Sequence, residues 1–487
     1  MIKHSKTLAL LAPGLLLAGC NMAPHYVRPD LPVAPSVSSG IGQGAGADTA
    51  QIAQAQASDA APMAWKDYFT DARLRAVIGL SLENNRDLRV AVAHIAQARA
   101  RYKVQGADLF PTISAGASGD IAQVPSGLSG LTGGSGGSAG GPANSTRYNL
   151  YRGQLGVSAW EIDLFGRVRN LTQAAQEEYF ASIDNRAAAQ VSLVSEVANA
   201  WLQLAADREQ LAIARDTHAA FAQTLEITQD RAKMGVASDL DLQQARTSFE
   251  QARADIARLT TTVAQDRNAL DLLVGTPVGD AMLPEGLDTT EATIGQLPGG
   301  LASSVLLKRP DVSSAEHDLR SANANIGAAR AAFFPQISLT AAVGTMSMGF
   351  ANLFRDGSLN WSASPSATLP IFDMGKNINN LRYAKATRDA MVATYEKAIQ
   401  TAFRETADAL ARRETIGTQL DAQQKREGAA HSALTIAQAR YKEGVDPFLT
   451  TLDSERTYYA ARQDLVSVRL ERQTNAVELF RALGGGV

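Results

Sequence analysis

Only one of the 487 residues is a cysteine, Cys20, so no disulfide can staple the chain to itself. No run of 18 apolar residues occurs, although 45% of the residues are hydrophobic, which excludes a membrane-spanning helix. If the chain crosses a bilayer, it must do so as a closed β-barrel, because backbone groups in lipid need internal partners. Charge of one sign is also lacking. The net charge is −3, with Lys and Arg interspersed among Asp and Glu as on solvated helix faces, and no basic excess points to nucleic acid. The six histidines (His4, His25, His94, His218, His317 and His431) show no His-Glu-x-x-His spacing and have no cysteine partner, so no metal centre is expected. Met346 and Met348 read as packing residues rather than copper ligands. No set of nucleophile, base and orienting group stands out, and no nucleotide motif is present. The chain is therefore expected to be neither an enzyme nor its own energy source, and to need no cofactor. The Gly-x-Ser-x-Gly inside residues 133–141 belongs to a low-complexity Gly/Ser stretch, not to a strand-to-helix elbow.

What is present starts at the N terminus. Lys3 and Lys6 precede a short apolar stretch, Leu8 to Ala18, and then Leu17-Ala18-Gly19-Cys20. This reads as a secretory signal over residues 1–19 that ends in a lipoprotein-type cleavage site, with Cys20 as the lipid acceptor. Residues 20–64 form a Pro-, Ser- and Gly-rich leader, extended and without a core of its own.

The rest of the chain is written twice. Phe110-Pro111-Thr112-Ile113-Ser114 returns 224 residues later as Phe334-Pro335-Gln336-Ile337-Ser338. Lys233-Met234-Gly235-Val236 returns 209 residues later as Lys442-Glu443-Gly444-Val445. The first repeat, residues 65–275, predicts a helix from Asp71 to about Val104, strands at about 112–122 and 148–164, and a helical hairpin over 168–273 that turns at Gly235. The second, residues 308–487, predicts a helix from Pro310 to about Ala331, strands at about 336–345 and 360–371, and a hairpin over 377–483 that turns at Gly444; residues 276–307 connect the two. Proline is missing from Val168 to Gly275. Ile183, Gln190, Val197, Leu204 and Leu211, with Ala187, Val194, Trp201 and Arg208, make a 3.5-residue seam of the coiled-coil kind with two polar exceptions.

Four strands of about ten residues have membrane length but cannot close a barrel, and lipid does not tolerate open edges. Two copies would give eight strands and a plugged interior; three would give twelve and room for a pore. The expected fold is a mixed α and β membrane protein: long antiparallel coiled-coil helices in a trimeric α-barrel, and four strands per chain in a shared 12-stranded β-barrel.

The signal ending in Cys20, the Pro-rich leader, the paired Phe-Pro-x-Ile-Ser motifs, Trp160-Glu161-Ile162-Asp163-Leu164-Phe165-Gly166-Arg167, the two glycine turns and the terminal Ala482-Leu483-Gly484-Gly485-Gly486 together resemble the TolC family of outer-membrane efflux channels, in its lipid-anchored drug-efflux branch. The resemblance implies a homotrimer in the outer membrane, reaching into the periplasm and coupled through a membrane-fusion adaptor to an inner-membrane pump of the RND type. It implies adaptor docking at the turns, through Arg231, Gly235 and Val236 and through Arg440, Gly444 and Val445. It implies a periplasmic aperture at Leu449, Asp453 and Arg456, which share one helix face. Asp239 and Asp241 can pair with Lys442 or Arg440 to hold the aperture shut, and Glu455 adds a charge of unassigned direction. Efflux of metal cations or secretion of polypeptides are alternatives within the class; a lipid-anchored periplasmic coiled-coil scaffold is the alternative outside it.

Overall fold

The computed structural model describes residues 21–37, 63–124, 146–287 and 301–486. Cys20, the signal segment and the 133–141 stretch lie outside these. The chain divides into two compact units, and neither corresponds to a sequence repeat: each is assembled from pieces of both repeats and of the leader.

One unit comprises residues 1–28, 97–179 and 317–392. It contains an antiparallel sheet of β2 (Ile113–Val124), β3 (Thr146–Glu161), β5 (Gln336–Ser347) and β6 (Leu359–Thr368), hydrogen-bonded in the order β2-β3-β5-β6. The register aligns Ala115 with Leu155, Leu155 with Val343, and Val343 with Trp361. Side chains alternate between faces along a strand. One face therefore gathers Ile113, Ile121, Leu155, Val343, Leu359 and Trp361, all exposed in the single chain. The other gathers Ser114, Ser118, Ser338, Thr340, Ser362, Ser364 and Ser366. It also holds an ion pair, Arg152 to Asp120 at 3.0 Å. A bulge between Val157 and Trp160 inserts one residue, with Ala159 at φ 48°. Gly344 is required by contact: a Cβ there would lie 2.2 Å from the Gly153 carbonyl oxygen.

In the same unit the leader runs antiparallel to α6 (Pro310–Ala331). Arg330 donates to the Met22 carbonyl at 3.2 Å, and Asn323 donates to that of Pro24 at 2.9 Å. The Arg320 guanidinium lies 5.1 Å from the Tyr26 ring centroid. Between them, Gly327 leaves space for Ala23, whose nitrogen would be 2.7 Å from any added Cβ. The four positions share one stripe of the helix.

The second unit comprises residues 29–96, 180–316 and 393–487. Its core collects Trp65, Tyr68, Phe69, Val194, Val197, Trp201, Leu204 and Phe480. Apart from Phe69, which caps the first of them, these belong to α1 (Trp65–Tyr68), α4 (Arg167–Lys233) and α8 (Phe448–Ala482). Burial of each large side chain contributes roughly 1.5–3 kcal/mol. The seam is buried from Val194 to Leu211, whereas Ile183 is 37% exposed in the single chain. Arg208, the polar exception, reaches out of the seam to donate to the Pro284 carbonyl at 2.6 Å. A two-stranded ribbon, β1 (Ser36–Val37) with β4 (Leu301–Ala302), joins the leader to the connector and was not expected.

The single helix expected over 71–104 is two helices, α2 (Ala72–Asn84) and α3 (Arg86–Ala107). Asn85 makes the break. Its side chain accepts from Leu88 N at 2.9 Å and donates to the Leu273 carbonyl at 2.7 Å, so it caps one helix while binding the end of another. The long helices are α4 and α7 (Lys376–Lys442), 67 residues each, which at ~1.5 Å per residue are roughly 100 Å long. Each is followed by an antiparallel partner, α5 (Asp239–Val274) or α8.

Candidate functional site

The turns that join the two hairpins are built alike. Gly235 and Gly444 sit at φ 75° and 77°, left-handed values that favour glycine. Val236 N bonds the Arg231 carbonyl at 2.9 Å and Val445 N bonds the Arg440 carbonyl at 2.8 Å, the six-residue closure of a Schellman cap. The turns project apolar side chains into solvent: Met234, Val236 and Val445 are all more than 60% exposed. A Cβ on Gly235 would meet nothing within 4 Å, so the glycine is there for conformation, not for closeness.

The equivalent arginines act differently. Arg231 donates to the Tyr441 carbonyl at 3.0 Å and stacks 4.4 Å from the Tyr441 ring centroid, so it braces one hairpin against the other instead of standing free at the tip. Arg440 binds Asp446 of its own turn through two bonds at 2.6 and 2.8 Å, and these hold the Asp446 carboxyl below its ordinary range. The pairing expected from Asp239 and Asp241 to Lys442 or Arg440 does not form within the chain. Asp241 is taken by the N-terminus of α5, where it and Ser238 make a reciprocal capping box, and among the described residues Asp239 accepts from Gln243.

Leu449, Asp453 and Arg456 are exposed along one face of α8. Asp453 makes no ion pair with Arg456; Arg456 crosses to Ser248 on α5 at 3.3 Å. Beneath this face, Phe448 and Leu452 pack with Ala245, Leu225 and Tyr441. Thr451 bonds the Ala437 carbonyl at 3.2 Å.

Glu455, whose direction was open in the sequence, points inward. It is 4% exposed and accepts from Thr224 on α4 at 2.8 Å and from Gln438 on α7 at 3.3 Å, while its second oxygen has no partner. Burial pushes its carboxyl up despite these bonds. Tyr459, one turn on, donates to Asp255 on α5 at 3.3 Å. Glu455, Arg456 and Tyr459 thus fasten α8, the helix with the exposed Leu449 and Asp453, to its three neighbours. For Glu455 and Tyr459, one turn apart, the available signal was their spacing away from the exposed face.

A further acid pair joins α4 and α5, Asp207 buried and Asp266 half-buried. Asp207 accepts from Gln203 at 2.6 Å, and burial first, then the bond and charge of Asp207, push Asp266 up to about 7.

The chain offers a two-faced sheet and two long helical hairpins that end in exposed glycine turns. The family model described as outer membrane efflux protein matches residues 77–276 and 301–485. The solvent efflux pump outer membrane protein SrpC of Pseudomonas putida is 41% identical over 473 residues, covering 97% of this chain and 96% of its own. Outer membrane protein OprJ of Pseudomonas aeruginosa is 39% identical, covering 100% and 97%. Among solved structures, the open state of the Neisseria gonorrhoeae MtrE outer membrane channel superposes with a TM-score of 0.81 at 38% identity, covering 96% of this chain and 98% of that one. A membrane protein from Pseudomonas aeruginosa superposes at 0.85 and 40% identity, covering 96% and 98%. With well over half its length inside that family model and relatives of this identity spanning it end to end, the chain belongs to the outer membrane efflux protein family, as a non-enzymatic outer-membrane channel that works with pump components.

Proposed function

We propose that the chain is the exit duct of a tripartite efflux system. In this reading three copies pool their strands into one 12-stranded barrel, their helical hairpins form a periplasmic tube, and small toxic compounds or drugs pass through passively. An inner-membrane RND-type pump supplies the energy and a periplasmic membrane-fusion adaptor makes the join. The observation that carries the reading is the sheet of four strands with an apolar face, a hydroxyl face and two open edges. Such a sheet satisfies lipid on one side and water on the other only when closed with copies of itself. A lipid on Cys20 adds an anchor, and relatives named for solvent, toluene and antibiotic efflux support small-molecule cargo.

At the tip, Gly235-Val236 and Gly444-Val445 are the adaptor contacts, because they are the exposed apolar apices of two equivalent caps. Leu449 and Asp453 narrow the aperture: three leucines resist wetting, and three carboxylates around one axis repel unless hydrated or bound to a cation. The test is a deletion strain scored against a panel of drugs, solvents and metal ions. Wild type should restore drug and solvent tolerance; Gly444→Trp should assemble yet fail to restore it. Asp453→Ala channels in planar bilayers should conduct more than wild type, and equal conductance would remove the aperture assignment.

A further inference from the structure

The helix that carries Leu449 and Asp453 is packed unevenly along its length. At its start, Phe448 and Leu452 join Ala245, Leu225 and Tyr441 in an apolar cluster. Further along, Leu465 and Val468 pack with Ile416 and Leu420 of α7 in another. Between the two lies a polar layer. Glu455, 4% exposed, accepts there from Thr224 of α4 and Gln438 of α7. Thr228, fully buried, turns its hydroxyl back to the Thr224 carbonyl at 2.8 Å. Thr451 likewise spends its hydroxyl on the Ala437 carbonyl. The start of α8 is therefore joined to the rest of the hairpin packing through hydrogen bonds centred on one ionisable group.

That group suits the layer in only one of its two states. Protonated, Glu455 is neutral and still accepts both bonds. Ionised, it leaves a charged oxygen buried with no partner among the described residues. A buried charge without a counterion is costly, so the group stays neutral or moves to water. The neighbouring charges are engaged elsewhere or exposed. On α4, Arg231 lies on Tyr441 and Glu226 is exposed; on α7, Arg440 holds Asp446; on α8, Arg456 crosses to Ser248. The other titratable groups nearby are Asp255 of α5, held by Tyr459, His431 of α7, against Tyr458, and the exposed Asp453. Gln438 is itself exposed, which gives the layer an edge on water.

We propose that this layer is a pH-sensitive hinge for the opening turns of α8. With Glu455 protonated, residues 448–454 stay fastened to α4 and α7. With Glu455 ionised, the carboxylate leaves through the Gln438 edge, and the start of α8 comes away from the layer, carrying Leu449 and Asp453 with it. The duct is then narrow in acid and wider as the pH rises. The step from hinge to aperture rests on the reading above that Leu449 and Asp453 narrow the passage.

The direction follows from the surroundings of the carboxyl. Burial raises it above the ordinary glutamate range, and the bonds from Thr224 and Gln438 oppose that rise. Ionisation therefore comes at a higher pH than for an exposed glutamate. Removing the Thr224 hydroxyl takes away a bond that favours the charged form, and moves ionisation higher still.

The experiment follows the full-length protein across a pH series by two readouts. One is conductance in planar bilayers. The other is amide hydrogen exchange of residues 448–454, corrected for the intrinsic dependence of exchange on pH. In wild type, conductance should rise in a step and protection of 448–454 should fall over the same range. Glu455→Gln keeps the shape without the charge; both changes should vanish, leaving the channel at its low-pH conductance. Thr224→Val should keep the size of the change and shift its midpoint to higher pH, which a merely structural role does not produce. That variant also carries the test should Glu455→Gln fail to assemble. In Asp453→Ala, which removes the exposed acid, both changes should persist. A step that survives in Glu455→Gln, a midpoint unmoved in Thr224→Val, or a loss of the exchange response in Asp453→Ala overturns the hinge. If protection responds to pH through Glu455 while conductance does not, the hinge stands and the aperture reading fails.

Discussion

Single side chains decide how the helical hairpins respond to pH. Asp266 has its carboxyl raised from 3.8 to about 7 by burial and by Asp207, and Glu455 is raised in the same direction by burial. An acid whose folded pKa exceeds its unfolded value binds more protons folded than unfolded. Its contribution is therefore fully present below the ordinary carboxylate range and is lost as pH rises, for Asp266 between about 4 and about 7. The helical melting temperature, followed by circular dichroism, should fall across that window in wild type and fall less in Asp266→Asn. An unchanged slope in the variant would exonerate the pair. These acids also mark a limit of sequence reading. Asp453 and Glu455 are two residues apart on one helix, and periodicity gives their relative angle but not which of them faces inward. Thr224 and Gln438, distant in sequence, settle that by hydrogen bonding.

Elements stand or fall on a few close approaches. Gly344 and Gly116 are both strand glycines, yet only at Gly344 would a Cβ strike a neighbouring backbone; Gly116 has open space. Gly344→Ala should force β3 and β5 apart at a cost of roughly 1–3 kcal/mol and lower the temperature at which trimers dissociate on gels, while Gly116→Ala should not. Arg309 is a second pin. Buried, it pairs with Asp311 at 2.8 Å and Glu405 at 2.9 Å and donates to the Ala482 carbonyl, tying α7 to the end of α8. Arg309→Ala leaves Glu405 to Arg481 at 3.4 Å and removes the short bond to the Ala482 carbonyl, and should cost about 1–3 kcal/mol in thermal or denaturant unfolding. The long helices were legible because proline is absent and the apolar period is sustained. The break at Asn85 was not, because an asparagine inside a helical pattern acts as a cap only when something distant, here the Leu273 carbonyl, takes its amide. The β1–β4 ribbon, two residues a side, has no period to read.

At the scale of the molecule, duplication is the organising fact, and it was visible in the sequence as recurring motifs. What recurrence did not reveal is that the repeats lie interleaved, so that each compact unit draws on both. Nor did it reveal that equivalent residues diverge in role, as Arg231 and Arg440 do. The tip residues were named from resemblance; the turn geometry accounts for the glycines and adds contacts within the chain for both arginines. The leader has a mechanical consequence. Arg330 grips the chain at Met22, and only Asn21 separates that grip from Cys20. Such a tether reaches about 7 Å. Acyl chains on that cysteine would hang on a short leash beside the end of α6, so anchor and barrel would drift through the membrane as one raft and never as a float trailing its line.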